Sequence, residues 1–131
     1  MSAASNYLEN ALGNAVLRNT AYSSPAAVYL ALYTSSPAED ASGAEVTDAG
    51  SYARTAITFG APSNGAFTQS AQVTFPTATG NWGTVTHWAL YDSGTHGAGN
   101  LLVFGAFSGS IAVVTGNTPF VANAAIVVTL A

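Results

Sequence analysis

The chain has 131 residues, a formal net charge of −4 at pH 7 and only 6% charged residues, far below the roughly 25% of ordinary soluble domains. It contains no cysteine, which excludes disulfides, thiol catalysis and zinc–thiolate sites. Its only cations are Arg18 and Arg54, so no basic patch can neutralise phosphates and we expect no nucleic acid partner.

The length is that of a single domain. The low content of charged residues indicates how the surface of this domain interacts with other subunits. Few charges together with 49% apolar residues suit a surface that other subunits cover. We therefore expect self-assembly into a dimer or trimer. The alternative is a monomer kept soluble by its hydroxyl groups. No apolar run approaches the length of a membrane span, and no signal peptide is recognisable, so we expect assembly in a cytoplasm without a membrane partner.

Residues 1–24 are predicted to form an N-terminal arm and helix. Apolar residues recur with helical period over residues 6–18, where Asn6 and Glu9 have the spacing of a capping box. So short a helix needs a surface, which is either the remainder of its own chain or a neighbouring subunit. The candidate subunit contacts on this helix are Tyr7, Leu8 and Leu12.

Residues 27–34 alternate as a strand that has useful side chains on both faces. Tyr29 and Tyr33 share one face and are further candidate contacts. The acidic segment that follows, residues 39–50, is predicted to be a solvated loop. Calcium binding is the weaker alternative, because the segment lacks the ligand spacing of an EF-hand.

Two strands are predicted next, over residues 52–59 and 67–75. Arg54 lies in the alternating apolar pattern of the first of them. We expect it to pair with a carboxylate or a carbonyl across the sheet, not to bind a ligand.

Residues 84–91 are predicted to be the central strand, around which the remainder of the chain is organised. Bulky residues point to both sides, with Val85 and His87 on one face and Trp88 on the other. Trp82 and Trp88 have the same parity and are candidate contacts as well. They either pack in the core or form an exposed platform on which a sugar would stack.

Three further short strands are expected after a mobile glycine-rich loop at residues 93–100, and the first of them would form a hairpin with the central strand. The fold class predicted is mainly β: a single antiparallel β-sandwich of Greek-key or jelly-roll type over residues 25–131, with about seven strands and one N-terminal α-helix.

The sequence contains little that indicates a catalytic or metal-binding site. His87 and His96 are the available bases, and Asp92 could join them at a metal, but no paired ligand spacing supports a metal or catalytic site. Asp92 is expected to make the turn after the central strand. We predict no enzyme activity and no cofactor.

The whole chain resembles a family of small virion proteins of tailed bacteriophages, labelled head decoration (cement) protein or tail fibre protein. Relatives carry an aromatic residue followed by glycine where this chain has Trp88 and Ala89. The resemblance lies in the segments SNYLEN (5–10), PAAVYLALYT (25–34), SYARTAITF (51–59), VTFPTA (73–78), WGTVTHWALYD (82–92) and GNLL (99–102).

The resemblance implies a structural component of the virion without catalytic residues. Our first expectation is a capsid decoration protein that binds and stabilises the outer shell, with the major capsid protein as its partner. The alternative is a tail or tail-fibre component with tail proteins as partners, in which loops 39–50 and 93–100 are contact surfaces. A carbohydrate-binding module at the host surface is the third hypothesis.

Overall fold

A computed structural model describes residues 2–130 and confirms the mainly β fold with one helix. The helix is α1 (Asn6–Leu17). The strands are β1 (Ser2–Ala4), β2 (Val28–Tyr33), β3 (Thr55–Ile57), β4 (Ala66–Thr68), β5 (Val73–Thr74), β6 (Gly83–Tyr91), β7 (Leu101–Val113), β8 (Phe120–Val121) and β9 (Val127–Thr129).

The architecture is a sandwich-like stack of one large sheet and two small ones. The large sheet has the strand order β1-β7-β6-β2-β3, and all its pairings are antiparallel. The predicted central strand is therefore confirmed, and β6 forms the expected hairpin with β7. The opposing layer consists of two two-stranded sheets, β4–β9 and β5–β8.

The two faces of the large sheet bury different residues. One face packs against the small sheets and forms the main core, to which every layer contributes. The opposite face holds a smaller cluster made of Ala31, Tyr33, Ala89, Tyr91 and Leu101. Both clusters contain residues of β2 and β6, which explains why the sequences of these strands have bulky residues on both faces. The main core contains Leu30, Leu32, Val46, Tyr52, Ile57, Val73, Phe75, Ala78, Trp82, Val85, Trp88, Leu90, Leu102, Val103, Val113, Val121, Ile126 and Val128.

The predicted faces of the central strand are wrong at its beginning. The pairing of β6 with β7 shifts register between Val85 and His87. This irregularity reverses the alternation, so that Val85 lies in the same core as Trp88 although their numbers differ in parity. A strict period of two cannot reveal the shift, because the extra residues belong to the partner strand.

The predicted strand over residues 67–75 is two strands, β4 and β5, in different sheets. Gln69, which is buried, interrupts it. Its amide nitrogen donates to the carbonyls of Ala71 and Val121, and its amide oxygen accepts from the backbone of Ile126. These bonds satisfy a polar side chain inside the core and let the chain cross between the small sheets.

Other boundaries differ in length from the predictions. The strand expected over residues 52–59 is shorter and is only β3. The two strands predicted over residues 101–107 and 111–114 are one strand, β7. The arm expected within residues 1–24 supplies β1, which pairs with β7 and was not predicted. Whether residues 1–24 and 25–131 form separate units stays a prediction.

Helix α1 ends one residue before its predicted end, but its cap differs. The N-cap is Ser5, whose hydroxyl accepts from the backbone of Leu8 at 3.1 Å and donates to the carbonyl of Leu101. Ser5 is preferred over the predicted Asn6 because this pair of bonds also fixes the helix to the sheet. No residue of α1 is buried. Within residues 2–130 no helix has the length and hydropathy to cross a membrane.

Two glycine substitutions should have opposite effects on the free energy of unfolding. Gly13→Ala should raise it by about 0.5–1 kcal/mol, because Gly13 is helical and nothing lies within 4 Å of an added Cβ. Gly43→Ala should lower it by about 1–3 kcal/mol, because its Cβ would meet the backbone of Ser36 and lie 2.7 Å from Pro37 Cα. Urea unfolding of the two variants tests this, and equal signs would contradict it.

Candidate functional site

A buried arginine joins the two long loops of the chain. Arg54 and Glu45 form a bidentate ion pair, with Nη2 at 2.7 Å and Nε at 2.9 Å from the two carboxylate oxygens. Only 1% of the Arg54 side chain and 9% of the Glu45 side chain are exposed. Pairing is what makes such burial of two charges tolerable.

The remaining contacts of Arg54 reach the glycine-rich loop. Its Nη1 donates to the carbonyls of Ser93 and Ala98 at 3.0 and 2.8 Å. Its Cζ lies 3.7 Å from the centre of the Tyr91 ring, in cation–π geometry. Burial alone would lower the pKa of this guanidinium, but the hydrogen bonds and charge of Glu45 outweigh it and hold the pKa above its usual value. Arg54 is therefore a fixed cross-link between the loops.

Tyrosines surround this pair. The Tyr52 hydroxyl donates to Glu45 at 2.7 Å and accepts from the backbone of Leu32 at 3.0 Å. The Tyr33 hydroxyl is hydrogen-bonded to that of Tyr91. We call Glu45, Tyr52, Arg54, Tyr91 and Tyr33 the Arg54 cluster. The prediction that Arg54 pairs with a carboxylate or a carbonyl is confirmed, but its partners lie in loops and not on a neighbouring strand.

Loop 93–100, which was expected to be mobile, is tied at several points. Asp92 closes its base, because its carboxylate accepts from the backbone and side-chain nitrogens of Asn100 at 2.6 and 3.0 Å. The predicted turn role of Asp92 is thus confirmed. His96 Nε2 donates to the carbonyl of Val46 at 2.9 Å, so the two loops also touch directly.

Loop 39–50 is likewise more ordered than a solvated loop. Its middle runs beside β2, where the backbone of Val46 donates to Leu32 at 2.9 Å. Its end is held by Trp82, whose Nε1 donates to the carbonyl of Gly50 at 2.8 Å. The exposed acids Glu39, Asp40 and Asp48 give this loop a negative charge. We call loops 39–50 and 93–100, joined by the Arg54 cluster, the loop end.

The buried tyrosines predict a loss of stability in alkali. Burial, followed by the Tyr91 hydrogen bond, raises the pKa of Tyr33. Burial, followed by the charge of Glu45, raises the pKa of Tyr52. An unfolded tyrosine ionises near pH 10, so the unfolded chain loses these protons first. The contribution of these two tyrosines to the free energy of unfolding is therefore fully present below about pH 10 and is lost as the pH rises above it.

Thermal unfolding between neutral and alkaline pH measures this effect. Tyr52→Phe should flatten the alkaline decline while costing about 2–4 kcal/mol at neutral pH, because it loses one hydrogen bond to a backbone amide and one to the Glu45 carboxylate. Ultraviolet titration of tyrosinate in the folded and urea-unfolded chain provides the direct comparison. Identical titration curves would contradict the prediction.

The seven predicted contact residues do not gather at one place. Tyr7 is exposed on α1, whereas Leu8, Leu12 and Tyr29 are half-buried. Whether any of the seven contacts a partner stays a prediction. The remaining three, Tyr33, Trp82 and Trp88, are buried.

The tryptophan platform expected for carbohydrate stacking is not formed. Trp82 and Trp88 do share a side of the sheet, but both lie in the main core and are at most 6% exposed. The Trp82 ring meets Tyr52 edge-on at 5.3 Å. The packed alternative is therefore correct for both rings.

The two histidines have separate partners. His87 Nδ1 lies 2.7 Å from the hydroxyl of Thr86, and His96 bonds to loop 39–50. Among residues 2–130, no three His, Asp or Glu side chains are grouped closely enough to hold a metal. Sequence reasoning missed Glu45, Tyr52 and Tyr91 as the surroundings of Arg54, and only the surplus of acids around residue 45 hinted at its partner.

Comparison with protein families gives one result. A family model described as "Podophage GP4 fiber I protein gp80" matches residues 3–129, which is nearly the whole chain. A comparison with curated proteins found no match. The match confirms the resemblance to virion structural proteins of phages. Its description names a fibre protein, which favours the tail-fibre alternative over the capsid decoration role expected first.

Proposed function

We propose that this chain, which belongs to the podophage GP4 fiber I protein gp80 family of bacteriophage fibre structural proteins, is a self-assembling module of the tail fibre. The family match over residues 3–129 is the observation that carries the proposal. A role without catalysis agrees with the Arg54 cluster, in which the charged groups are engaged with one another and a substrate would have to displace them.

The loop end is the surface proposed to contact other tail proteins. Its two loops are fixed by a bidentate ion pair and by Trp82, so they can present one shape to a partner without ordering first. A cavity of about 380 Å³ opens there beside Arg54, His96 and Tyr91. The exposed acids around it would favour a partner with a basic surface.

Quantitative mass spectrometry of purified virions tests the location. The amount of this chain should be a small fixed number per particle when it is normalised to the major capsid protein, and antibody labelling should decorate the tail. An amount comparable with the major capsid protein would support capsid decoration instead. Absence from the particle would overturn the proposal.

A further inference from the structure

The strand β7 is longer than its neighbours, β1 and β6, and continues past β1. Residues 111–113 pair with the start of β6, and residues 103–105 pair with β1 on the other side. Within residues 2–130, residues 107–110 form the bulge of β7 and pair with no strand on either side, and no strand pairs with residues 111–113 on the side away from β6. We call this open side the β7 edge. A free edge presents backbone donors and acceptors that another strand can bind.

Apolar side chains lie next to the β7 edge and open a cleft between the layers. Phe75, Phe107, Ile111 and Phe120 are among the residues that line this cleft, which has a volume of about 240 Å³ and is mainly apolar. Ile111 and Phe120 are 55% and 60% exposed, which is unusual for large apolar residues that could pack in a core. Phe107, Ile111 and Val113 belong to both the edge and the lining of the cleft, so the two features adjoin.

Charge is missing from this surface. Residues 93–131 contain no Asp, Glu, Lys or Arg. Residues 107–113 contain no lysine and no proline, two residue types that commonly protect edge strands. No acid among residues 2–130 lines the cleft. Two copies can therefore meet at their β7 edges without burying a charge at the contact.

We propose that the β7 edge and its cleft are a self-association surface, where a second copy of this chain binds by antiparallel pairing of the two β7 edges. A partner for this surface has to be uncharged, apolar and provided with a free strand edge, and the same surface of a second copy meets all three requirements. Antiparallel pairing about a twofold axis makes the contact self-complementary, and each Ile111 would enter the partner's cleft.

Sedimentation of the purified full chain over a range of concentrations tests this inference. The wild-type chain should form a dimer, and Ile111→Lys should weaken it by at least about tenfold, because two lysines would be buried at one contact. Val127→Lys is the matched control, since Val127 is also an exposed β-branched residue on a strand but lies in β9. It should leave the dimer unchanged. Circular dichroism and urea unfolding establish that both variants fold.

Hydrogen exchange locates the contact. Amides in residues 107–113 of the wild-type chain should gain protection as the concentration rises, and those of Ile111→Lys should not. A chain that is monomeric at every concentration, equal effects of both lysines, or a dimer without protection at the β7 edge would each overturn the inference.

The inference rests on the self-assembly in the proposed function, yet the two fail separately. A chain that dimerises through the β7 edge but is found outside the tail leaves the inference standing and removes the proposed function. A tail protein that stays monomeric in solution removes the inference alone.

Discussion

Replacing Arg54 with alanine should lower the free energy of unfolding by about 3–5 kcal/mol, since it leaves a buried carboxylate without its cation. Glu45 would keep the hydrogen bond from Tyr52 and the neighbouring His96, whose Nε2 is 3.8 Å from Oε1 of Glu45. The carbonyls of Ser93 and Ala98 would lose their donor. The Tyr91 ring would also lose the guanidinium above it. The expected loss is a large part of the roughly 5–15 kcal/mol that stabilises a typical domain.

Arg18→Ala is the matched control, because these two arginines are the only cations of the chain. Arg18 is exposed, and its side chain reaches only Asn14 at 3.2 Å. Its loss should change the free energy of unfolding by no more than about 0.5 kcal/mol. Urea unfolding at neutral pH measures both variants. If Arg54→Ala costs no more than Arg18→Ala, the ion pair does not stabilise the loop end.

A variant without either charge distinguishes the cost of an unpaired buried charge from the loss of the ion pair itself. Arg54→Met combined with Glu45→Leu should be more stable than Arg54→Ala, because no charge is then left unpaired in the interior. Where Arg54→Ala is too unstable to purify, Arg54→Lys gives the same comparison with a smaller loss, since lysine cannot make the bidentate bond. A double variant less stable than Arg54→Ala would show that the cluster acts mainly through its shape.

The periodicity of the sequence predicted those strands whose position in the sheet follows from their own pattern of apolar residues. β2 and β6 alternate with bulky residues on both faces, and they are the inner strands of the large sheet. The register shift after Val85 was not predictable in this way, because it depends on which residues of β7 lie opposite. Gln69 was missed because a buried amide resembles a surface residue until its three partners are known.

For the candidate site, the sequence predicts that Arg54 needs a partner but does not identify that partner. An arginine within an apolar alternation requires a partner, which the sequence shows, but the partner is chosen by loop closure. Glu45 is nine residues away along the chain, and the two carbonyls lie about forty residues away. Nothing in their local sequence distinguishes them from solvated loop groups. Burial of both tryptophans was undecided for the same reason, because one face pattern fits a core and a platform equally.

Phe75→Ala should cost about 3–5 kcal/mol, because Phe75 is 2% exposed and lies between the large sheet and the small ones. Its ring is nearly parallel to that of Tyr52, with centroids 6.5 Å apart. Tyr52 is held by two hydrogen bonds, so it cannot move freely into the space left behind. The cavity should therefore remain largely unfilled, which places the cost towards the upper part of the range.

Phe120→Ala provides the control, because Phe120 lines the same cleft but is 60% exposed. It should change the free energy of unfolding by no more than about 0.5 kcal/mol when measured in dilute solution, where self-association does not contribute. Urea unfolding with tryptophan fluorescence reports both variants, since both indoles are buried in the wild-type core. Equal costs for the two phenylalanines would contradict the division between core and open surface.

The Arg54 and Phe75 sites should also depend on each other, because Tyr52 touches both. Its hydroxyl bonds to Glu45, and its ring stacks on Phe75. The milder pair Arg54→Lys and Phe75→Leu should therefore show a coupling energy of about 0.5–3 kcal/mol in a double-mutant cycle, whereas distant sites add within a few tenths. Phe75→Leu combined with Arg18→Ala should be additive. A coupling of that size would mean that the loop end and the main core unfold as one unit, so the shape presented to a tail partner is stabilised by the whole domain.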